Sequence, residues 1–166
     1  MDRAHDAGVI WRRDIREALG DLTVHWLDPT RKPIDVGVED DMSRLMRRKH
    51  KEAGDYEFVT SEMRPIRGVD LRMVDFSDFL VVYLDMPTHS CGTYEELFWA
   101  NRMKRPVFLM CEQGKESIPD WLFATLPHEY FHSTWASLYA HVRRVAQDPS
   151  FVDPYRRWYF FDWMGE

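Results

Sequence analysis

Apolar and polar positions along this chain fall into blocks that predict buried strands and amphipathic helices in turn. Leu80-Val81-Val82-Tyr83-Leu84 is apolar throughout, the pattern of a parallel strand covered on both faces. Pro106-Val107-Phe108-Leu109-Met110 has the same character and predicts the next strand. Between them, Gly92 and Thr93 open a helix expected to run to about Met103. Upstream, Val9 to Leu19 predicts a helix with Ile10, Ile15 and Leu19 near one face and Arg12, Arg13 and Arg16 on the other. Gly20-Asp21 stops it, and Thr23 to Leu27 predicts a short strand ended by Asp28-Pro29. Residues 31 to 38 are expected to form a loop.

The remaining elements follow the same logic. Asp40 to Glu52 predicts a charged helix with acids early and Arg47-Arg48-Lys49 late, as the helix dipole favours. That basic cluster is expected to be a solvated helix end. Gly54 breaks the chain, residues 55 to 66 are expected to be irregular, and Arg67 to Phe76 predicts a helix leading into Leu80. Pro119 to Phe123 suggests a short helix, Glu129 to His132 a last short strand, and Ser133 a cap for a helix reaching about Ala146. Helices alternating with apolar strands argue for an α/β protein with a mainly parallel sheet flanked by helices. No internal repeat or low-complexity segment interrupts it.

Composition narrows the class. A chain of 166 residues suits one domain. A formal net charge of −6 argues against a nucleic-acid polymer as partner, since such a surface is expected to be basic. A single nucleotide needs only a local pocket of donors. No apolar run is long enough for a membrane span and no signal peptide is visible, so a cytoplasmic protein without a membrane partner is expected. Cys91 and Cys111 do not make a disulfide framework. Residues 148 to 166 crowd Trp158, Tyr159, Phe160, Phe161 and Trp163 together. This tail is expected either to pack on the domain formed by residues 1 to 147 or to meet a partner subunit, where aromatics are enriched.

In open α/β sheets the chemistry sits beyond the carboxyl ends of the strands. His89, Ser90, Gly92, Thr93 and Glu96 fall there, after the Leu80 strand. Thr93-x-x-Glu96 also fits a capping box, which stabilises a helix without any further role. The run from Asp70 to Met110 resembles the nucleoside 2-deoxyribosyltransferase family and its nucleotide N-hydrolase relatives. The resemblance rests on Asp70, Ser77-Asp78, Leu80 to Leu84, Gly92-Thr93, Glu96-Leu97 and Ala100 in that order. Asp6 to Arg12 and Leu27-Asp28-Pro29-Thr30 extend it, so that it covers about residues 1 to 146.

The resemblance implies a flavodoxin-like (Rossmann-like) fold. The chain starts at Met1-Asp2-Arg3-Ala4-His5, past the position of the family's first strand and glycine-rich turn, so that strand is expected to be missing here, either because the reading frame starts upstream or because the sheet is built differently. It implies cleavage or transfer at the N-glycosidic bond of a (deoxy)nucleoside or nucleoside 5′-monophosphate through a glutamyl-glycosyl intermediate. Glu96 would be the nucleophile and Asp70 the carboxylate that handles the base proton. Ser90, with Gly92, Thr93 and His89, would meet the substrate, Ser90 at its 5′-phosphate, and Asp6 and Trp11 would complete the pocket. No cofactor or metal is required. A homodimer or higher homo-oligomer is implied, because members of the family build active sites at subunit contacts.

Two alternatives come from other classes. His128-Glu129-Tyr130-Phe131-His132 fits the H-E-x-x-H signature of zinc metalloproteases, with His141 as a conceivable third ligand. That chemistry needs a helix to bring both histidines to one face. Pro127 before the motif and the Tyr-Phe pair favour a strand, in which the histidines would stand about 13 Å apart. The other alternative is a nucleotide-binding module without turnover.

Overall fold

Among the described residues a three-stranded parallel sheet carries the molecule, and helices cover both of its faces. The structure, a computed structural model, describes residues 8–32 and 41–148. Its elements are α1 (Val9–Ala18), α2 (Asp41–Glu52), α3 (Tyr56–Phe76), β1 (Leu80–Leu84), α4 (Cys91–Arg102), β2 (Val107–Cys111), α5 (Asp120–Phe123), β3 (Phe131–His132) and α6 (Trp135–Gln147). The strands lie in the order β1-β2-β3, with Leu80 opposite Val107 and Leu109 opposite Phe131. This is the α/β architecture expected from the sequence, and it is consistent with a flavodoxin-like fold. Among the described residues no helix is long and apolar enough to cross a membrane.

Every residue of β2 is buried, which explains why its sequence has no polar alternation. Its side chains divide between two cores. Val107, Leu109 and Cys111 join Val74 of α3 and Leu97 and Ala100 of α4 in an aliphatic layer. Phe108 and Met110 face Ile15 and Leu19 of α1 and Leu138 and Val142 of α6, in a layer rich in aromatic rings. Each Val, Leu, Ile, Phe or Met among them is worth roughly 1.5–3 kcal/mol when fully withdrawn from water.

Several expectations need correction. The apolar stripe of α1 runs through Trp11, Ile15 and Leu19, each four residues apart, whereas Ile10 is 51% exposed. Thr23 to Leu27 is not a strand. Its residues alternate in exposure as a strand's would, and Trp26 packs edge-on against Phe79, yet the segment joins no ladder. A strand needs a hydrogen-bonded neighbour, and a cavity separates this segment from the edge of β1.

Residues 56 to 76 are one helix, not an irregular stretch followed by a short helix. Asp55 caps it, accepting from the Phe58 amide at 3.1 Å, and Pro65 lies inside it. An internal proline costs a helix bond, and here the buried stripe Ile66, Met73 and Val74 outweighs it. Arg47 is buried, so the basic end of α2 is only partly solvated. Thr134, not Ser133, caps α6, accepting from the Ser137 amide at 3.2 Å, while Ser133 accepts from the Lys115 amide. Only Phe131 and His132 of the expected last strand pair with the sheet; residues 128 to 130 form a 3-10 turn.

Candidate functional site

Helical spacing aims Asp70 and Glu96 inward. Asp70 stands four residues after Ile66 and four before Val74, on the buried stripe of α3. Glu96 stands four residues before the fully buried Ala100 of α4. Both line one cavity of about 470 Å3, together with Trp11, Arg12 and Arg16 of α1, residues 23–29 and residues 76–81. The cavity follows the edge of β1 and is walled by helices from both faces of the sheet. Withdrawal from water and the nearby Asp70 charge push the Glu96 carboxyl up to about 7, against the opposing pull of Arg12 and Lys32.

Glu95 is placed quite differently. It points to the outer side of α3, where the Arg67 guanidinium donates to both of its oxygens. Those hydrogen bonds hold its carboxyl below the usual range. Two adjacent glutamates are thus sorted by helix geometry, one into an exposed ion pair and one into the cavity.

A second polar group lies beside the first. Asp28 is buried and accepts from the Thr30 amide at 2.9 Å and the Thr30 hydroxyl at 2.7 Å, closing a tight turn. Arg16 donates to its other oxygen, and the Arg12 guanidinium is 3.6 Å away. Burial pushes this carboxyl up. The Thr30 hydrogen bonds and the two arginines outweigh burial and hold it low. Arg12 also donates to the Gly8 carbonyl and lies over the Trp11 ring, 4.3 Å from its centroid. Just past the turn, Lys32 reaches Asp70, with Nζ 2.9 Å from Oδ1.

The structure therefore brings Asp70, Glu96 and Trp11 to one cavity. Trp11 is at the same time stacked on Trp135, with centroids 5.5 Å apart, so it is both wall and core. His89, Ser90, Gly92 and Thr93 do not line the cavity; they form the amino-terminal end of α4. The expected capping box does not form. Ser90 occupies the cap position, its hydroxyl donating to the Thr88 carbonyl at 3.2 Å, so Thr93 and Glu96 lie inside the helix. A Cβ at Gly92 would meet nothing within 4 Å, so the fold does not require glycine there. Asp6 and the aromatic tail lie outside the described residues.

The H-E-x-x-H residues are not on a helix. His128 is exposed beside Glu129, in the 3-10 turn. His132 is buried at the end of β3, its Nδ1 2.8 Å from the Ser137 hydroxyl and its Nε2 3.2 Å from Nδ1 of His141. The helical face that would present both motif histidines to one zinc is absent. Among the described residues no group of three or more His, Cys, Asp or Glu side chains is placed to hold a metal.

Sequence reasoning missed Lys32, and it placed Arg12 and Arg16 on the face of α1 opposite the apolar one without a role at the site. The i, i+4 spacing of the two arginines ahead of an Asp-Pro-Thr turn was the available signal. Lys32 had none. Neither family models, nor curated proteins, nor solved structures contain a match to this chain.

Proposed function

We propose that this protein cleaves or transfers the N-glycosidic bond of a (deoxy)nucleoside or its 5′-monophosphate. The observation that carries this reading is the pair Asp70 and Glu96 on one cavity wall, with the Glu96 carboxyl poised near neutrality. Breaking an N-glycosidic bond asks for charge stabilisation at C1′ and a proton for the departing base, and two carboxylates can supply both. Ionised Glu96 attacks C1′, and the bond electrons leave with the base. Asp70 relays the proton that the base needs, directly or through water. Water or a second base then attacks C1′ of the glycosyl ester and restores the Glu96 carboxylate. Trp11 lines the same cavity and would border the base.

The end of α4 lies five residues before Glu96, about 8 Å along the helix axis. That end lies outside the cavity wall, so a 5′-phosphate would meet it by extending past the wall while C1′ stays at Glu96. The amides there and the Ser90 hydroxyl are suited to an anion. A monophosphate is therefore expected to be the better substrate, and Ser90→Asp, which adds a negative charge, is expected to narrow or invert that preference. Equal turnover of the unphosphorylated nucleoside by the unaltered protein would contradict it.

The deciding experiment is incubation with a panel of nucleosides and nucleoside monophosphates, with and without free bases, measuring base release and exchange. Release or exchange with at least one member is expected. Binding of a nucleotide with no turnover across the panel would leave a nucleotide-binding module instead.

A further inference from the structure

Two carboxylates withdrawn from bulk water on one cavity cannot both ionise cheaply. Which member holds the negative charge is decided by where the nearest cation sits. Lys32 sits on Asp70, 2.9 Å from Oδ1, with only 7% of its own side chain and 14% of Asp70's exposed. An ion pair so far from water is weakly screened by salt. Among the described residues Glu96 has no such ion pair. Its other cationic neighbour, Arg12, is committed to the Gly8 carbonyl, the Trp11 ring and the Asp28 side. Lys32 is not part of the cavity wall, so a bound substrate would touch Asp70 and Glu96 but not the ammonium.

We infer that Lys32 is a positioning residue of the cavity: its ammonium, seated on Asp70 from outside the wall, fixes Asp70 as the permanently anionic carboxylate and leaves Glu96 as the member that exchanges its proton. Among the described residues, the charged groups that act on Glu96 are Asp70 from α3, Arg12 from α1 and Lys32 from the loop after Thr30. Lys32 makes its contact with the partner carboxylate, while Arg12 lies toward Asp28. The assignment of charge stands on this geometry alone. Its catalytic consequence rests on the function proposed above: an anionic Asp70 has no proton to give, so the departing base takes its proton from a water held on Asp70, and the hydroxide left behind is the group that attacks C1′ of the glycosyl ester in hydrolysis.

The test is a carbon-detected NMR titration of the Asp70 and Glu96 carboxyls in the unaltered protein, in Lys32→Met and in Lys32→Arg. In the unaltered protein Asp70 should stay ionised at pH values where Glu96 is already protonated. In Lys32→Met, protonation of Asp70 should become at least tenfold easier, so that it titrates in the same range as Glu96. Lys32→Arg should restore the separation. The acid limb of base release should then steepen from a one-proton to a two-proton slope in Lys32→Met only.

An Asp70 titration that overlaps that of Glu96 in the unaltered protein overturns the inference, whether or not the methionine variant folds. So does an Asp70 titration indifferent to the loss of Lys32. Absence of base release from every substrate, with the titrations as expected, removes the functional reading and leaves the charge assignment standing.

Discussion

Asp70 and Glu96 on helices of the aliphatic side, and His132 and His141 on the aromatic side, are both pairs of titratable groups withdrawn from water. Their surroundings differ in kind. The carboxylates open onto a cavity, with an ammonium seated on one of them. The histidines are closed in by rings: Phe108 lies edge-on to His141 with centroids 5.0 Å apart, and Tyr130 lies 4.8 Å from it. Each ring nitrogen of His132 has a neighbour, the Ser137 hydroxyl on one side and His141 on the other. Burial of both groups alone would suggest two active sites. Access to space and the presence of a counter-charge separate a pair that can act on a ligand from a pair that holds a strand end to a helix.

That contrast can be broken by experiment. Its strongest test is Glu96→Gln, which keeps shape and removes the proposed nucleophile. Base release should fall by about 10⁴-fold or more in a steady-state assay, with an unchanged far-ultraviolet circular dichroism spectrum. Retained turnover would take Glu96 out of the mechanism.

The histidine pair predicts an effect on stability instead. Burial, His141 and Lys115 push His132 down to about 4. The unfolded chain takes up this proton near pH 6.5 and the native state does not. Stability from this group is thus full above pH 6.5 and is lost as pH falls toward 4, by about 3 kcal/mol. Denaturant titrations of the unaltered protein and of His132→Gln should diverge across that window and nowhere else.

Glu96 carries the opposite sign. Its native carboxyl holds a proton up to about 7, whereas the unfolded chain releases it near 4.5. Stability therefore falls as pH rises between those values, by about 2 kcal/mol after allowance for partial exposure. Glu96→Gln should be more stable than the unaltered protein at pH 8 and equal to it at pH 4. The smallest effect belongs to its neighbour. Glu95→Gln removes an exposed ion pair with Arg67 and should cost under about 1 kcal/mol. Base release should stay within a factor of two, and a large loss there would erase the distinction between the two glutamates.

Much of this arrangement was legible from residues alone where burial writes a continuous signal. The strands over Leu80–Leu84 and Val107–Cys111 were visible because a doubly covered strand has no polar positions. α3 was only half visible, because Pro65 and Gly68 look like breaks to local rules while tertiary packing on Ile66 and Val74 overrides them. Thr23 to Leu27 misled in the opposite direction: its alternation is real, but pairing is a property of the neighbour and not of the segment. Within the site, Asp70 and Glu96 emerged from their places around a strand and helix and from resemblance. The cap residue of α4 was misplaced by three positions because Thr93 and Glu96 satisfy a local motif that the fold does not use. Lys32 was invisible because one lysine in a loop has neither period nor spacing to mark it.

The full burial of β2 also orders the molecule in time. A central strand with neighbours on both sides and cores above and below exposes its amides only when most of the domain opens. Amides of Val107 to Cys111 should therefore be among the last to exchange with deuterated solvent. Those of α1, which packs over one sheet face and borders the cavity, should exchange earlier. If they do, Trp11 and Arg12 can swing away from the cavity while the sheet behind Asp70 and Glu96 stays intact. The route by which a molecule enters and leaves would then be local opening along α1, with no need to loosen the strands.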